Sequence, residues 1–175
     1  MNATPARASS ALTLRHMEPR DLPHVLRIIE RTPAPRWAQQ DILFHFHSDD
    51  ISSWVAIVDD QVAGFVVCRI VPALAATVPS GDDNVAWRMD AGPQERFELL
   101  HLAVAPEWQR NGIGRALVQR FESRLVHAGD AIRAIVPESN LPVQLFLRAV
   151  GYKAVRVLRG YYGEEDAFVM ERQHD

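Results

Sequence analysis

A single α/β domain with a central sheet of about seven strands and four helices is predicted for this 175-residue chain. Three observations carry that expectation. Short apolar, β-branched runs alternate with segments whose apolar residues recur at helical spacing. A glycine-punctuated turn, Gln109-Arg110-Asn111-Gly112-Ile113-Gly114, joins one of those strands to one of those helices. The composition, 47% hydrophobic with one cysteine, lets a chain of this length bury its own core without disulfide or metal staples.

Leu12 to Met17 alternates Leu12, Leu14 and His16 as a first strand. Asp21 then opens a helix with Pro23 in its first turn and Leu22, Val25, Leu26 and Ile29 on one face, ended by Pro33 and Pro35. A second short helix is expected over Trp37 to Phe46, apolar at Trp37, Ile42, Leu43 and Phe46. Ser53 to Val58 and Val62 to Val71 are strands joined at Asp59-Asp60-Gln61, a hairpin signal. Pro72 to Glu95 shows no sustained period and reads as a long surface excursion. The sheet resumes at Arg96 to Val104. After the glycine turn, Ile113, Leu117, Phe121 and Leu125 mark a helix ending at Gly129. Ala131 to Val136 is the fifth strand. Asn140 caps a helix with Pro142 at its start and Gly151 past its end, and Tyr152 to Arg159 with Ala167 to Arg172 form a terminal hairpin. The domain is expected over 12–174, with residues 1–11 as a disordered tail.

The glycine turn sits where proteins bind phosphate. The first N–H groups of a helix lack intrahelical partners, the helix dipole is positive there, and Gly112 and Gly114 have no side chains to hold an anion away from the backbone. A P-loop would need Gly-Lys-Ser/Thr, and Gly114 is followed by Arg115 and Ala116. A dinucleotide fingerprint would need a third glycine where Leu117 stands and an acidic residue ending a second strand, whereas Gly129-Asp130 precedes its strand. The alternative to an anion site is an ordinary strand-to-helix turn.

Other function classes are excluded or disfavoured by composition. Cys68, alone and in an apolar strand, excludes an intrachain disulfide framework and a zinc knuckle and reads as a core residue. No apolar run approaches the ~18 residues of a membrane span, so no membrane partner is expected. Residues 1–11 are small and polar with Arg7 the one charge, unlike a signal or transit peptide, and a cytoplasmic location follows by default. A net charge of −3 argues against nucleic acid as a partner. His45 and His47, two apart on the expected helix, point about 200° from each other and do not make a metal pair.

Three stretches together resemble the GNAT acetyltransferases. The first is Leu102-Ala103-Val104 followed by Ala105-Pro106-Glu107-Trp108 and the glycine turn, similar to that family's strand and pyrophosphate loop. The second is Glu138-Ser139-Asn140 before the helix ending Arg148-Ala149-Val150-Gly151-Tyr152. The third, Arg159-Gly160-Tyr161-Tyr162 with Glu165-Asp166-Ala167-Phe168-Val169-Met170, resembles the RimI-type branch, which acetylates the α-amine of protein N-termini. The resemblance implies the GNAT fold, a mixed, mostly antiparallel sheet splayed between its fourth and fifth strands, and acetyl-CoA as cosubstrate. It implies that Leu102, Ala103 and Val104 lie along the pantetheine arm, that Gln109, Arg110, Asn111, Gly112, Ile113, Gly114 and Arg115 surround the pyrophosphate, and that Asn140 faces the cofactor's amides. For Arg110 and Arg115 the alternative is a solvated charge at a helix end; for Asn140 it is a helix N-cap.

Acetyl transfer needs a neutral amine, an acceptor for its proton and donors for the developing oxyanion. An α-amine with a pKa of about 7.7 is ~17% neutral at pH 7, against less than ~0.1% for a lysine at about 10.4, so it asks less of the base. Glu98 matches the glutamate base of the histone-acetylating branch; the alternative is a solvated strand residue. His101, alone in an apolar strand, is the weaker candidate. Two positions depart from the family pattern: Ile135 stands where the RimI-type branch has a glutamate, and Leu147 where many relatives have a tyrosine acid, with Phe146 and Tyr152 nearby but out of register. Trp37 resembles a tryptophan of the substrate loop, with a core anchor as the alternative, and Tyr161 and Tyr162 are expected to line the acceptor site, with a core contact for one of them as the alternative. The expected function is acetyl-CoA-dependent N-acetylation of a protein or peptide α-amine. A small-molecule amine acetyltransferase and a catalytically silent acyl-CoA-binding module remain as alternatives.

Overall fold

Seven strands, β1 (Thr13–His16), β2 (Ile51–Val58), β3 (Gln61–Val71), β4 (Arg96–Val104), β5 (Ala131–Pro137), β6 (Lys153–Tyr162) and β7 (Glu165–Gln173), form one sheet in the order β1-β2-β3-β4-β5-β7-β6. The helices are α1 (Leu22–Glu30), α2 (Ile113–Leu125) and α3 (Leu141–Ala149). The computed structural model describes residues 11–32, 42–43, 46, 48–71, 96–125 and 130–173. Residues 1–10 of the expected tail, most of the expected helix from Trp37 to Phe46, His45, His47, the Pro72 to Glu95 excursion and Gly129 lie outside the described residues. Among the latter there are three α-helices rather than four, with Ile42 and Leu43 helical and the Phe46 N–H donating to the Ile42 carbonyl at 2.9 Å.

Every strand pairing is antiparallel except β4 with β5. That parallel pair has only three partner positions, Arg96 with Ala131, Phe97 with Ile132 and Glu98 with Arg133. Beyond Glu98 the two strands separate, which is the expected splay. A register irregularity opposite Val67 and Cys68 falls just past this point on β4, where bulges commonly bend a strand.

Two-residue alternation sorts the side chains. Val66, Cys68, Phe97, Leu99, Ile132, Ala134, Val136 and Met170 meet Leu117, Phe121, Leu147, Val150 and Tyr152 in one core under α2 and α3. Phe97 and Phe121 pack edge to face at 5.8 Å, each nearly fully buried, and burying such a ring stabilises the fold by about 2–3 kcal/mol. Val55, Phe65 and Val67 point the other way, against Val25, Ile28 and Ile29 of α1 and Ile42. On that same face of the C-terminal half, Leu158, Ala167 and Val169 gather Ile135 and Tyr162. The sheet thus separates an α2/α3 face from an α1 face.

Turn chemistry fixes the register. Asp59 and Asp60 both take positive φ (48° and 60°), the geometry of a two-residue hairpin, so Gln61 already belongs to β3. The terminal hairpin is longer than expected: Tyr161 and Tyr162 end β6 rather than occupying the turn, and β7 starts at Glu165. Between Leu158 and Tyr162 the β6 register slips, and Asp166 pins the irregularity by accepting the Gly160 N–H at 2.9 Å and the Arg159 guanidinium at 2.6 Å. β6 is an edge strand carrying exposed Lys153, Arg156 and Arg159 and two register irregularities, features that discourage further strand addition.

Candidate active site

Glu98 stands at the apex of the splay, the last β4 residue paired with β5. Its side chain lies on the α1 face, where Oε2 is 3.3 Å from Arg69 Nη1 of β3. Beyond it, Leu102, Ala103 and Val104 pair with Val66, Phe65 and Gly64 on one side, and no β5 residue pairs with them on the other. Their β5-facing edge therefore has the backbone geometry that an extended, amide-bearing chain can join. A Cβ on Gly64 would come within 2.9 Å of the Ala103 carbonyl oxygen, so only glycine lets β3 lie this close to the strand end.

The turn after β4 is built by its own side chains. Gln109 Nε2 donates to the Val104 carbonyl at 3.0 Å and Asn111 Nδ2 to the Trp108 carbonyl at 3.3 Å. Arg110 and Gly112 take positive φ (66° and 80°), the former a strained conformation for a residue with a side chain. The first backbone bond of α2 runs from the Ala116 N–H to the Gly112 carbonyl at 3.0 Å, so the N–H groups of Ile113, Gly114 and Arg115 precede any helical acceptor. Among the described residues, nothing beyond its two chain neighbours lies within 4 Å of where a Cβ of Gly112 would stand. Open space over successive N–H groups at a helix start is what a phosphate requires, and the residues fit a pyrophosphate.

Not every residue expected at the cofactor has a side chain directed to it. Ile113 is buried in the α2/α3 core. Arg115 donates from Nη2 to the Ala149 carbonyl at 3.2 Å, capping the end of α3. Asn140 caps the start of α3, its Oδ1 accepting the Val143 N–H at 3.4 Å. A Cβ on Gly114 would meet the Phe146 ring at 3.3 Å, a close helix approach that sequence spacing did not reveal.

The acceptor side is better gathered. Tyr161 and Tyr162 pack edge to face at 4.9 Å, Tyr161 being 46% exposed. Partial burial, and then the Glu98 carboxylate, raise the Tyr161 phenol. Burial, Tyr161, Glu165 and Glu98 push the Tyr162 phenol up to about 12. The fold thus brings Glu98 and the two tyrosines, more than sixty positions apart, into one electrostatic neighbourhood. Trp37 lies outside the described residues.

The two departures have plain structures. Leu147 is fully buried under the sheet, and Ile135 packs beside Leu158, Ala167 and Val169. Tyr152 is in the core, and burial, then Glu122 and Cys68, raise its phenol far above the usual range, so it supplies no proton to the splay. The sequence reading passed over Arg69, and over a two-bond fork from Arg31 at the end of α1 to Glu107 just before the turn, both bonds at 2.9 Å. A lone charge inside an otherwise apolar strand run was the signal for Arg69.

A split sheet with a glycine turn at a helix start beyond one strand end and a carboxylate at the apex suits group transfer from a phosphate-bearing, extended donor. Residues 14–152 match the Acetyltransferase (GNAT) family, and the chain belongs to it. It is similar to an N-alpha-acetyltransferase of Saccharolobus solfataricus, 26% identical over 163 residues covering 91% of this chain and 92% of that one. It is similar also to the [ribosomal protein bS18]-alanine N-acetyltransferase of Escherichia coli K12, 23% identical over 90% of this chain and 95% of the relative. Among solved structures, Arabidopsis thaliana NAA60 in complex with a bisubstrate analogue superposes with a TM-score of 0.74 at 20% identity, over 94% of this chain and 100% of the other. The chain is an N-acetyltransferase, with acetyl-CoA as its cosubstrate. No helix among the described residues is long and apolar enough to cross a membrane.

Proposed function

We propose that this enzyme transfers the acetyl group of acetyl-CoA to the α-amine of a protein or peptide N-terminus, with Glu98 as base. The observation that carries this reading is that Tyr161 and Tyr162, at the end of β6, share one electrostatic neighbourhood with Glu98 at the apex of the splay, while the glycine turn opens beyond the end of β4. The amine nitrogen attacks the thioester carbonyl carbon, the C–S bond breaks, and the products are an amide and the CoA thiol. Glu98 takes the ammonium proton, directly or through one water, before attack. Tyr162, with its phenol at about 12, stays neutral and serves as a hydrogen-bond donor; giving up its proton to a thiolate of ordinary basicity, about 8.5, would be uphill. The turn holds the pyrophosphate through N–H groups from Ile113 to Arg115, with the Arg110 charge beside them, and β4 offers Ala103 backbone groups to the pantetheine. The relatives named for protein N-terminal acetylation support this acceptor class.

The test is thiol release from acetyl-CoA with a panel of peptides and of small amines. Peptide-dependent release with a free α-amine, lost when that amine is blocked, is expected. Turnover of small amines alone makes the enzyme a small-molecule acetyltransferase, and no turnover with tight acetyl-CoA binding makes it a silent binding module. Glu98→Gln is expected to lower turnover by ~10²-fold or more with acetyl-CoA affinity unchanged.

A further inference from the structure

The α1 face of the sheet carries one row of charges that crosses five strands and alternates in sign. Arg69 of β3 is the direct cross-strand partner of Glu98 of β4, Glu98 of Arg133 of β5, Arg133 of Glu171 of β7, and Glu171 of Lys153 of β6. Asp50, beside Ile51 at the start of β2, extends the row: Arg69 Nε is 3.5 Å from its Oδ2. Arg69 Nη1 is 3.3 Å from Glu98 Oε2, and Arg133 Nη2 is 3.7 Å from Glu171 Oε2. The side chains are half-buried, Arg69 33%, Glu98 22%, Arg133 17% and Glu171 19% exposed. Direct cross-strand pairs of opposite charge are the favourable arrangement in a sheet, and here each inner member has an opposite charge on both sides. The row's third member lies at the apex of the splay.

We propose that Arg69 is a positioning residue for the reaction: anchored by Asp50, it holds the Glu98 carboxylate in one orientation at the point where β4 and β5 part. This inference rests on the assignment of Glu98 as the base. Holding Oε2 against Arg69 restricts the rotamers open to Glu98 and so the direction its free oxygen faces. Arg69 from β3 and Arg133 from β5 flank Glu98 across the sheet, and Tyr161 and Tyr162 from β6 share its electrostatic neighbourhood. Asp50 and Glu171 stand one place further along the row, and Lys153 one place beyond Glu171. The two arginines are the cross-strand neighbours of Glu98 in the row, and the Arg69 hydrogen bond fixes the way its carboxylate faces. Removing Arg69 takes away one of those cations and the hydrogen bond that orients the group.

The test is a double-mutant cycle on turnover with the peptide identified as acceptor. Arg69→Met is expected to lower kcat about tenfold and to leave both KM for the peptide and acetyl-CoA affinity by calorimetry unchanged. In the Glu98→Gln background the same substitution is expected to cost no further activity, because Arg69 acts through Glu98. Arg69→Lys, which keeps the charge, and Asp50→Asn, which removes only the anchor, are expected to show smaller losses of the same kind, and both remain informative if Arg69→Met does not fold. A full additional loss from Arg69→Met in the Glu98→Gln background, or a loss that falls on KM rather than kcat, overturns the positioning role. Wild-type turnover by Glu98→Gln overturns the base assignment and this inference together, whereas a slow Glu98→Gln beside a normal Arg69→Met overturns this inference alone.

Discussion

Arg172 of β7 reaches both carboxylate oxygens of Glu122 of α2, at 3.0 and 3.1 Å, and donates from the same nitrogen to the Val150 carbonyl at the end of α3, at 2.8 Å. One guanidinium therefore ties the C-terminal half-sheet to the helix that follows the glycine turn and to the helix that Asn140 begins. Glu122 is 6% exposed, and removing one partner of a buried pair leaves the other uncompensated. Glu122→Gln is expected to cost about 2–4 kcal/mol, seen as a lower urea midpoint with an unchanged slope. A loss no larger than that of an exposed ion pair would show that solvent compensates Arg172.

The glycine turn makes a prediction about binding rather than stability. Gly112 has φ +80°, where a side chain strains the backbone by about 1–2 kcal/mol, yet among the described residues a Cβ there meets nothing within 4 Å beyond its chain neighbours. Gly112→Val should keep its far-ultraviolet circular dichroism and lose at least about tenfold in acetyl-CoA affinity by calorimetry, because the added group occupies the space over the N–H groups. Unchanged affinity in a folded variant would place the pyrophosphate elsewhere.

Tyr161→Ala and Tyr162→Ala should raise KM for a peptide acceptor and leave acetyl-CoA binding alone, the signature of lost acceptor binding. Tyr162→Phe sharpens the test. With the native phenol at about 12, its ionisation contributes no basic limb to the rate profile below about pH 10, so Tyr162→Phe should not alter the shape of the profile there. A basic limb that vanishes in Tyr162→Phe would make this tyrosine an acid rather than a neutral donor.

Asp21 predicts an acid-dependent stability. Burial disfavours its ionisation, but bonds from Arg15 at 2.6 and 2.8 Å, the Glu18 N–H at 2.8 Å, and the charges of Arg15 and Arg20 outweigh that and hold the carboxyl below its ordinary value. A carboxylate depressed in the folded state stabilises fully above its unfolded pKa, about 3.9, and that contribution is lost as pH falls through the folded-state value. Asp21→Asn should therefore be less stable than the native chain at pH 7, by about 2 kcal/mol, with the gap closing below about pH 4. A gap that stays constant down to pH 2 would assign the loss to packing.

What the sequence disclosed and what it withheld follow from locality. The glycine turn at the start of α2 was legible because backbone N–H groups and two glycines make it, all within six consecutive positions. The seven strands were legible because β-branched runs and hairpin signals are equally local. The pairing of Arg69 with Glu98, 29 positions away, needs the β3–β4 register, including its irregularity, and no local feature states that register. Tyr161 and Tyr162 were assigned to a turn because Gly160 and Gly163 flank them; both glycines do take positive φ, but Asp166 holds the chain in strand pairing through them. Gln109 and Arg115 fit the family's anion loop by position, while their side chains close the end of β4 and the end of α3, functions that only neighbours in space can assign.

The brevity of the β4–β5 pairing bears on how the molecule comes apart. Four strands on one side and three on the other are each laced by long antiparallel ladders, and three rungs plus the packing of α2 and α3 hold the two leaves together like a book bound at one end. Such a seam is where a protein opens locally before it unfolds globally, so amides at 131–133 should exchange hydrogen faster than those in the centre of β3. Acetyl-CoA lying between the leaves would touch both, from the turn after β4 and from Asn140 after β5. The donor would then act as the missing binding of the book, slowing exchange along the whole spine while leaving the far edge at β1 unchanged.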